Sequence, residues 1–521
     1  MTDSEFLIPS QPLKLRSALI AEDDFELSNL ASARSKDVDQ LAIPLCVDLD
    51  GTLIKTDMLL ESFLILIKTN PLYLFQCCLW LLHGKAHLKA KIAKRVSIDV
   101  GLLPYNEVFT DFLRKQSAQG RPLYLCTATD QRFAKQIASH LGIFAGVFAS
   151  DGHVNLSSRN KVSALKDAFG MRGFDYCGNS TDDIVVWKEA NKAIVIGNQK
   201  IAAAATRVNQ NTTIFQHGEY PIFSFPFKKT LKAIRVYQWV KNILIFVPLL
   251  TSHQFTELVS VRSSLIAFVS FSLCASSVYL LNDMLDLDTD RRHTRKRLRP
   301  FAAGDLSLQF GIFLMLGLLT ASFVLAILLP LKFMLVLGCY YMLTLAYSFK
   351  FKKMMLIDVF ALASLYTSRV MAGGAASNIP LSSWLVMFSI SIFLSLAFLK
   401  RYIELDEELR ASGASSASHT SSTGRGYLTE DTSMLRSFGT SAGYLAVIVL
   451  AIYLNSTDID LLYSHRSALW GIFALLLFWV SWMWMSAFKG KIHDDPIVFA
   501  LKDRTSLVTI VLVVFCMLIA I

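Results

Sequence analysis

The sequence predicts an α/β domain with parallel strands, followed by an all-α polytopic membrane domain of nine transmembrane helices. Three observations lead there. The 521 residues are 53% hydrophobic, too apolar for a soluble enzyme of this size. From Leu231 onward, apolar segments of spanning length centre near residues 243, 272, 320, 340, 365, 392, 447, 477 and 512. Before them, the short apolar run Pro44–Val47 ends in Asp48-Leu49-Asp50-Gly51-Thr52, which sets two carboxylates at the carboxyl end of a strand, where open α/β sheets bind ligands.

Taken in order, residues 1–40 are polar, of mixed charge, and without an apolar stretch behind a basic start. They read as a disordered tail that carries no signal peptide and stays in the cytoplasm. Eight cysteines show no metal-like or framework spacing and fit a reducing compartment. The net charge of +10 lies in loops between apolar segments, so it reports membrane orientation and not nucleic-acid binding.

Residues 41–215 form the α/β domain. After the Asp48 strand, Pro122–Thr127 is a second strand ending in Thr127; Lys161 follows in a Ser/Arg/Asn-rich approach to a helix; Asp175–Asp183 is a fourth element. These four elements in order resemble the phosphatase branch of the haloacid dehalogenase superfamily, which implies a Rossmann-like fold with a helical cap at about 57–110. The resemblance assigns Asp48 as nucleophile, Asp50 as general acid and then base, and Thr127 and Lys161 as phosphoryl-binding groups. It assigns Mg²⁺ to Asp48, Asp50, Asn179 and Asp183. Many members carry Asp where this chain has Asn179, and an amide is the weaker ligand.

Residues 59–83 are apolar enough to suggest a span, but a single crossing would separate Asp48 from Thr127. With Glu61, Lys68 and the Asn70-Pro71 break, they read as two short cap helices whose apolar surface lies on a membrane. Residues 216–229, with Pro221 and Pro226, read as a linker to the membrane domain at 230–521. There, loops on the amino-terminal side hold eighteen Lys and Arg, against three on the other side (Arg262, Lys332 and Arg466). That bias places the amino terminus inside and, with nine spans, the carboxyl terminus outside. The Ser-rich run at 411–424 reads as a flexible part of an inside loop.

The second apolar segment runs into Asn282-Asp283-Met284-Leu285-Asp286-Leu287-Asp288-Thr289-Asp290. On one helix, Asp283, Asp286 and Asp290 at i, i+3 and i+7 share a face. Three carboxylates in register repel unless a divalent cation such as Mg²⁺ sits among them, and the following arginines, Arg291 and Arg297 among them, suit a diphosphate.

Together with Gln238–Asn242, Arg299–Gly304, Tyr347-Ser348, Arg369–Gly374, Lys400–Leu405 and Asp495–Ala500, this stretch resembles the UbiA prenyltransferase superfamily. Within it, the chain resembles the polyprenyl-phosphate phosphoribosyltransferases more than the quinone-pathway enzymes. The resemblance implies Mg²⁺ at Asp283, Asp286 and Asp290. It implies substrate contacts from Lys241, Asn242, Asn282, Arg291, Arg297, Tyr347, Lys350, Asp358, Arg369, Lys400 and Arg401. Donor and acceptor would be 5-phosphoribosyl diphosphate and a polyprenyl phosphate, in a bacterial inner membrane with both sites cytoplasmic. The phosphatase-like domain would remove the 5-phosphate to give a lipid-linked ribose for envelope glycans. A homo-oligomer is compatible with this reading. An aromatic polyprenyltransferase carrying a regulatory or unrelated phosphatase domain is the alternative, and a transporter the third.

Overall fold

The computed structural model describes residues 42–197, 199–215, 227–412, 426–456, 459, 463–493 and 495–521. The expected tail at 1–40, and most of the expected linker and Ser-rich loop, lie outside the described residues. The chain forms two compact units. One holds the described residues before Phe227 with Asp288–Leu298 and Ala302–Leu308; the other holds Phe227–Leu287, Arg299–Phe301 and Gln309–Ile521.

The first unit is a six-stranded parallel sheet: β1 (Leu45–Val47), β2 (Leu123–Asp130), β3 (Gly146–Ser150), β4 (Asp175–Gly178), β5 (Ala193–Val195) and β6 (Thr212–Ile214), in the order β3-β2-β1-β4-β5-β6. All three β1 residues are buried, as a strand covered on both faces requires. One face packs Leu45, Val47 and Leu125 against Phe109 and Phe133, and the other packs Cys46, Cys126 and Tyr176 against Leu165 and Trp187. The order reverses between β1 and β4, so the loops after these strands diverge and open a crevice at their carboxyl ends. At the other end Arg121 ties three strands together, with Nη2 2.5 Å from Asp175 Oδ2 and Nε donating to the Ile43 carbonyl at 2.9 Å.

Between β1 and β2 lie the helices Met58–Thr69, Tyr73–Leu82, Lys85–Ala93 and Glu107–Ala118. The apolar stretch at 59–83 is broken at Asn70, whose Oδ1 accepts the Leu72 N–H at 3.0 Å, and neither half is long enough to span a membrane.

Two expectations about fold class are corrected. The haloacid dehalogenase fold is replaced by what is observed, a six-stranded parallel sheet with helices. Carboxylates at a strand's carboxyl end are available to any open parallel sheet, and so they do not define one fold. The nine spans become six helices long and apolar enough to cross a membrane, among the described residues: Leu258–Leu285, Leu308–Ala326, Leu331–Phe349, Ser383–Glu407, Thr432–Leu454 and Arg466–Phe488. A seventh is obtained if Phe227–Ile234 and Val236–Thr251, bent by 44°, count as one.

Two other expected segments are helices outside this set. Ile357–Ser377 is made less apolar by Asp358, Arg369 and its run of small residues. Arg504–Ala520 is a shorter apolar helix of 17 residues. The parity that put the carboxyl terminus outside falls with the count. The protein remains a multi-pass membrane protein.

Small residues let Ile357–Ser377 sit at the centre of the second unit. A Cβ on Gly373 would lie 1.9 Å from the Ile245 carbonyl oxygen, whereas Gly338 has nothing within 4 Å. Gly373→Ala is therefore expected to destabilise the unit by about 1–3 kcal/mol, as overpacking does. Gly338→Ala should be neutral or stabilising by up to about 1 kcal/mol through helix propensity. Thermal unfolding of the two variants in detergent checks the contrast.

Candidate functional site

In the first unit, the crevice beside β1 collects charge. Asp48 follows β1 and its N–H donates to the Cys177 carbonyl at 3.0 Å, fixing it between β1 and β4. Lys161 Nζ lies 2.8 Å from Asp48 Oδ1, 2.6 Å from the Tyr176 hydroxyl and 3.9 Å from Asp183 Oδ1. Asp183 is held in turn by the N–H groups of Asn179 and Ser180 at 3.1 and 3.0 Å. Asn179 packs on Gly51, where a Cβ would meet its Nδ2 at 2.1 Å and where φ is +75°.

Asp50 accepts from the Met58 N–H at 2.8 Å and from Thr129 Oγ1 at 2.7 Å. Thr127 is fully buried, and its hydroxyl accepts the Thr129 N–H at 3.0 Å. Burial pushes the Asp48 carboxyl up to about 7, Lys161 pulling it down and Asp183 and Asp50 pushing it further. Burial, then Asp57, pushes Asp50 up to about 6. Burial works against the Lys161 ammonium, but Asp48 and Asp183 outweigh it and hold its pKa above the ordinary value.

In the second unit the expected acidic stripe does not form. The helix Leu258–Leu285 stops, Asp286 is its C-cap at φ −100° and ψ 16°, and a separate helix runs Leu287–Arg292. Asp290 groups with the first unit. Asp283 is buried against Arg235 and Arg299, the latter at 3.1 Å, while Asp286 meets Lys352 at 3.2 Å. Charge repulsion along an uninterrupted helix is thus relieved by a break and by cations. Asn282 contributes its carbonyl to the Asp286 N–H at 2.9 Å.

Deeper in the bundle, two ammonium groups converge on one carboxylate: Lys241 and Lys400 lie 2.6 and 3.2 Å from Asp495 Oδ2. Asn242 joins Ser272, at 2.9 Å, to Arg369 Nε, at 2.8 Å. The Arg369 guanidinium lies between 5.2 and 5.5 Å from the ring centres of Phe271, Tyr340 and Tyr366, so its positive charge is held by aromatic faces. Asp358, fully buried, accepts from Arg401 Nε and the Tyr427 hydroxyl, both at 2.5 Å, and Arg401 also donates to Tyr347 at 2.9 Å. Lys350 is exposed, without a side-chain ion pair among the described residues. In the first unit, Arg291 forks onto buried Glu61, its Nη2 at 3.1 Å, and Arg297 lines a cleft of about 790 Å³ with Lys55, Arg114 and His140.

The oxygen donors at Asp48 and at Asp283 and Asp286 are of the kind Mg²⁺ takes. Among the described residues, however, no three His, Cys, Asp or Glu side chains are grouped to hold a metal ion. Oxygens of a substrate would have to complete any such shell.

The model of the UbiA prenyltransferase family matches residues 245–502. A decaprenyl-phosphate phosphoribosyltransferase from Mycolicibacterium smegmatis is 32% identical over 285 residues, covering 53% of this chain and 86% of that protein. The chain belongs to the UbiA prenyltransferase family.

Two further relatives of this UbiA-family enzyme come from other bacteria. Nodulation protein NoeC of Azorhizobium caulinodans is 34% identical, covering 55% of this chain and 91% of its own. The uncharacterized protein y4nM of Sinorhizobium fredii is 35% identical over 470 residues, 89% of this chain and 88% of that one. An alignment of that length has to run through both units.

Sequence reasoning missed Asp495, Arg235, Arg299 and Lys352 as partners of the expected groups, and Tyr176 and Lys89 in the first unit. Asp495-Pro496 has the form of a helix start, and Asp495 Oδ1 does accept the Ile497 N–H at 3.2 Å. That local signal locates a cap and is silent about the lysines on distant helices.

The Asp358–Arg401 pair yields a prediction. Arg401→Met leaves a buried carboxylate with Tyr427 alone and should cost about 3–5 kcal/mol, whereas Asp358→Leu combined with Arg401→Met should recover most of that loss. Unfolding midpoints in detergent for the single and double variants measure the difference.

Proposed function

We propose that the membrane unit moves a 5-phosphoribosyl group from 5-phosphoribosyl diphosphate to a polyprenyl phosphate, and that the amino-terminal unit then hydrolyses the 5-phosphate. The observation that carries the first half is the pair Lys241 and Lys400 on the single carboxylate of Asp495. A buried cluster with more ammonium than carboxylate accepts an anion without stranding charge. A prenyl diphosphate and an aromatic acceptor bring few anionic groups; phosphoribosyl diphosphate and a polyprenyl phosphate bring several. The similarity to decaprenyl-phosphate phosphoribosyltransferases favours the same choice.

A polyprenyl phosphate oxygen would attack C1 of the ribose as diphosphate departs. Arg235, Arg299 and Lys352 would turn from Asp283 and Asp286 to phosphate oxygens. Mg²⁺ bound by Asp283 and Asp286, and a second ion near Asp48 and Asp183, would neutralise the phosphate charge.

In the amino-terminal unit, Asp48 Oδ1 is held by Lys161, so Oδ2 is the oxygen we assign to attack the 5-phosphate. Asp50, raised to about 6, is suited to protonate the departing ribose oxygen and then to take a proton from the water that releases phosphate. The product would be a polyprenyl-phosphoryl-ribose, a sugar donor for envelope glycans. The nine Lys and Arg at 291–299 and 350–353, two loops joined by a pair of spans and so on one face, against Lys332 between those spans, support a cytoplasmic location for that face, and for both sites if the bent pair Phe227–Ile234 and Val236–Thr251 is one span, in a bacterial inner membrane.

The test uses the purified full-length protein in lipid with Mg²⁺, labelled 5-phosphoribosyl diphosphate and a polyprenyl phosphate, the lipid products being resolved by mass. Wild type should give lipid-linked ribose, Asp48→Asn should stop at the 5-phosphate, and both Asp286→Asn and EDTA should lower transfer at least a hundredfold. Consumption of a prenyl diphosphate with an aromatic acid, and no ribose on lipid, would overturn the proposal.

A further inference from the structure

We propose that the outer face of the helix Tyr73–Leu82 inserts into a lipid bilayer, and that the Asp48 site takes its phosphomonoester from a lipid lying in that bilayer. The substrate class rests on the phosphatase reading given above; the membrane face does not.

The helix carries no charged residue. Its inner face is accounted for: Cys77 and Trp80 are buried, the Tyr73 and Trp80 rings lie 6.1 Å apart, and the Arg95 guanidinium sits 4.8 Å from the Trp80 ring centre. Among the described residues, nothing covers its outer face. Leu72, Phe75, Leu79 and Leu82 are 69%, 72%, 60% and 83% exposed. A contiguous exposed apolar strip rimmed by polar residues marks a protein or membrane interaction surface.

The chemistry around the strip identifies the occupant. Lys85, Lys91 and Lys94 follow within about three turns, on and just after the helix Lys85–Ala93. Apolar side chains beside a cationic collar match acyl chains beneath anionic headgroups. A protein surface offering a second apolar strip would have no use for the collar. The chain also spans a bilayer through its other unit, so a lipid surface is present at high effective concentration.

These helices also reach the reacting groups. Met58, which begins the insertion, donates its N–H to Asp50 at 2.8 Å. Lys89, on the same helix as Lys85 and Lys91, donates to the Ala128 carbonyl at 2.6 Å and to Asn155 Oδ1 at 2.9 Å, between Thr127 and Thr129. A phosphate carried at a headgroup would therefore meet the crevice from the side that faces lipid.

The full-length protein, with its exposed Cys78 and Cys339 and half-exposed Cys516 replaced by serine, would carry a fluorophore on Leu79→Cys or on Met171→Cys in vesicles of phosphatidylcholine and phosphatidylglycerol. Nitroxide on the acyl chains should quench the label at 79 at least threefold more than that at 171. Equal quenching overturns the proposal, as does pyrene excimer emission at 79 without lipid quenching, which would assign the strip to a second copy. In parallel, Phe75→Glu with Leu79→Glu should lower kcat/KM for polyprenyl-phosphoryl-5-phosphoribose at least tenfold and leave soluble p-nitrophenyl phosphate unchanged, the latter also showing that the variant folds. An unchanged lipid substrate overturns the substrate half. Failure of wild type to hydrolyse either compound would refute the phosphatase reading, while the quenching ratio still decides the membrane face.

Discussion

A charge removed from water has to be neutralised by a group within a few ångströms, and both units are arranged around that requirement. Asp358 is buried as a carboxylate beside Arg401 and Tyr427. Lys161 is buried because Asp48 and Asp183 flank it. Lys241 and Lys400 share Asp495. Each ion pair joins residues far apart in sequence, so forming it fixes which helices and strands are neighbours. Of the expected phosphate-binding groups, Lys241, Arg369 and Arg401, buried in the bundle, are engaged by protein partners.

The same constraint separates two kinds of buried pair. Arg121 with Asp175, and Arg401 with Asp358, are enclosed with further hydrogen bonds that complete them. The Asp48 crevice and the Asp495 cluster are less balanced. Two carboxylates share Lys161, and two lysines share one carboxylate. Such imbalance is costly in a purely structural role and useful where an ion or a phosphate arrives to correct it.

Much of this was legible along the chain. The Asp48 strand, its position at the carboxyl edge of a parallel sheet, and the two short helices at 59–83 follow from local pattern: an apolar run of strand length, a pair of carboxylates, and an Asn-Pro break. The membrane unit follows from hydropathy, and its family from motifs inside residues 245–502. The acidic stripe misled because equal spacing implies a shared face only while one helix continues, and this one ends at Leu285. The span count misled because an apolar segment differs from a helix long and apolar enough to cross a membrane: Asp358, Arg369 and small residues dilute Ile357–Ser377, and Arg504–Ala520 is shorter than the six.

By itself the sequence determined that a part with parallel strands precedes a helical membrane part, and which residues could bear charge, since these depend on composition and on periods of two and 3.6 residues. Tertiary structure alone decided the partners: Asp495 for Lys241, Arg401 for Asp358, Arg235 for Asp283, Lys161 for Asp183. Pairing across 22 to more than 250 residues depends on how helices and strands pack, and no local pattern encodes the distance between two side chains brought together by the fold.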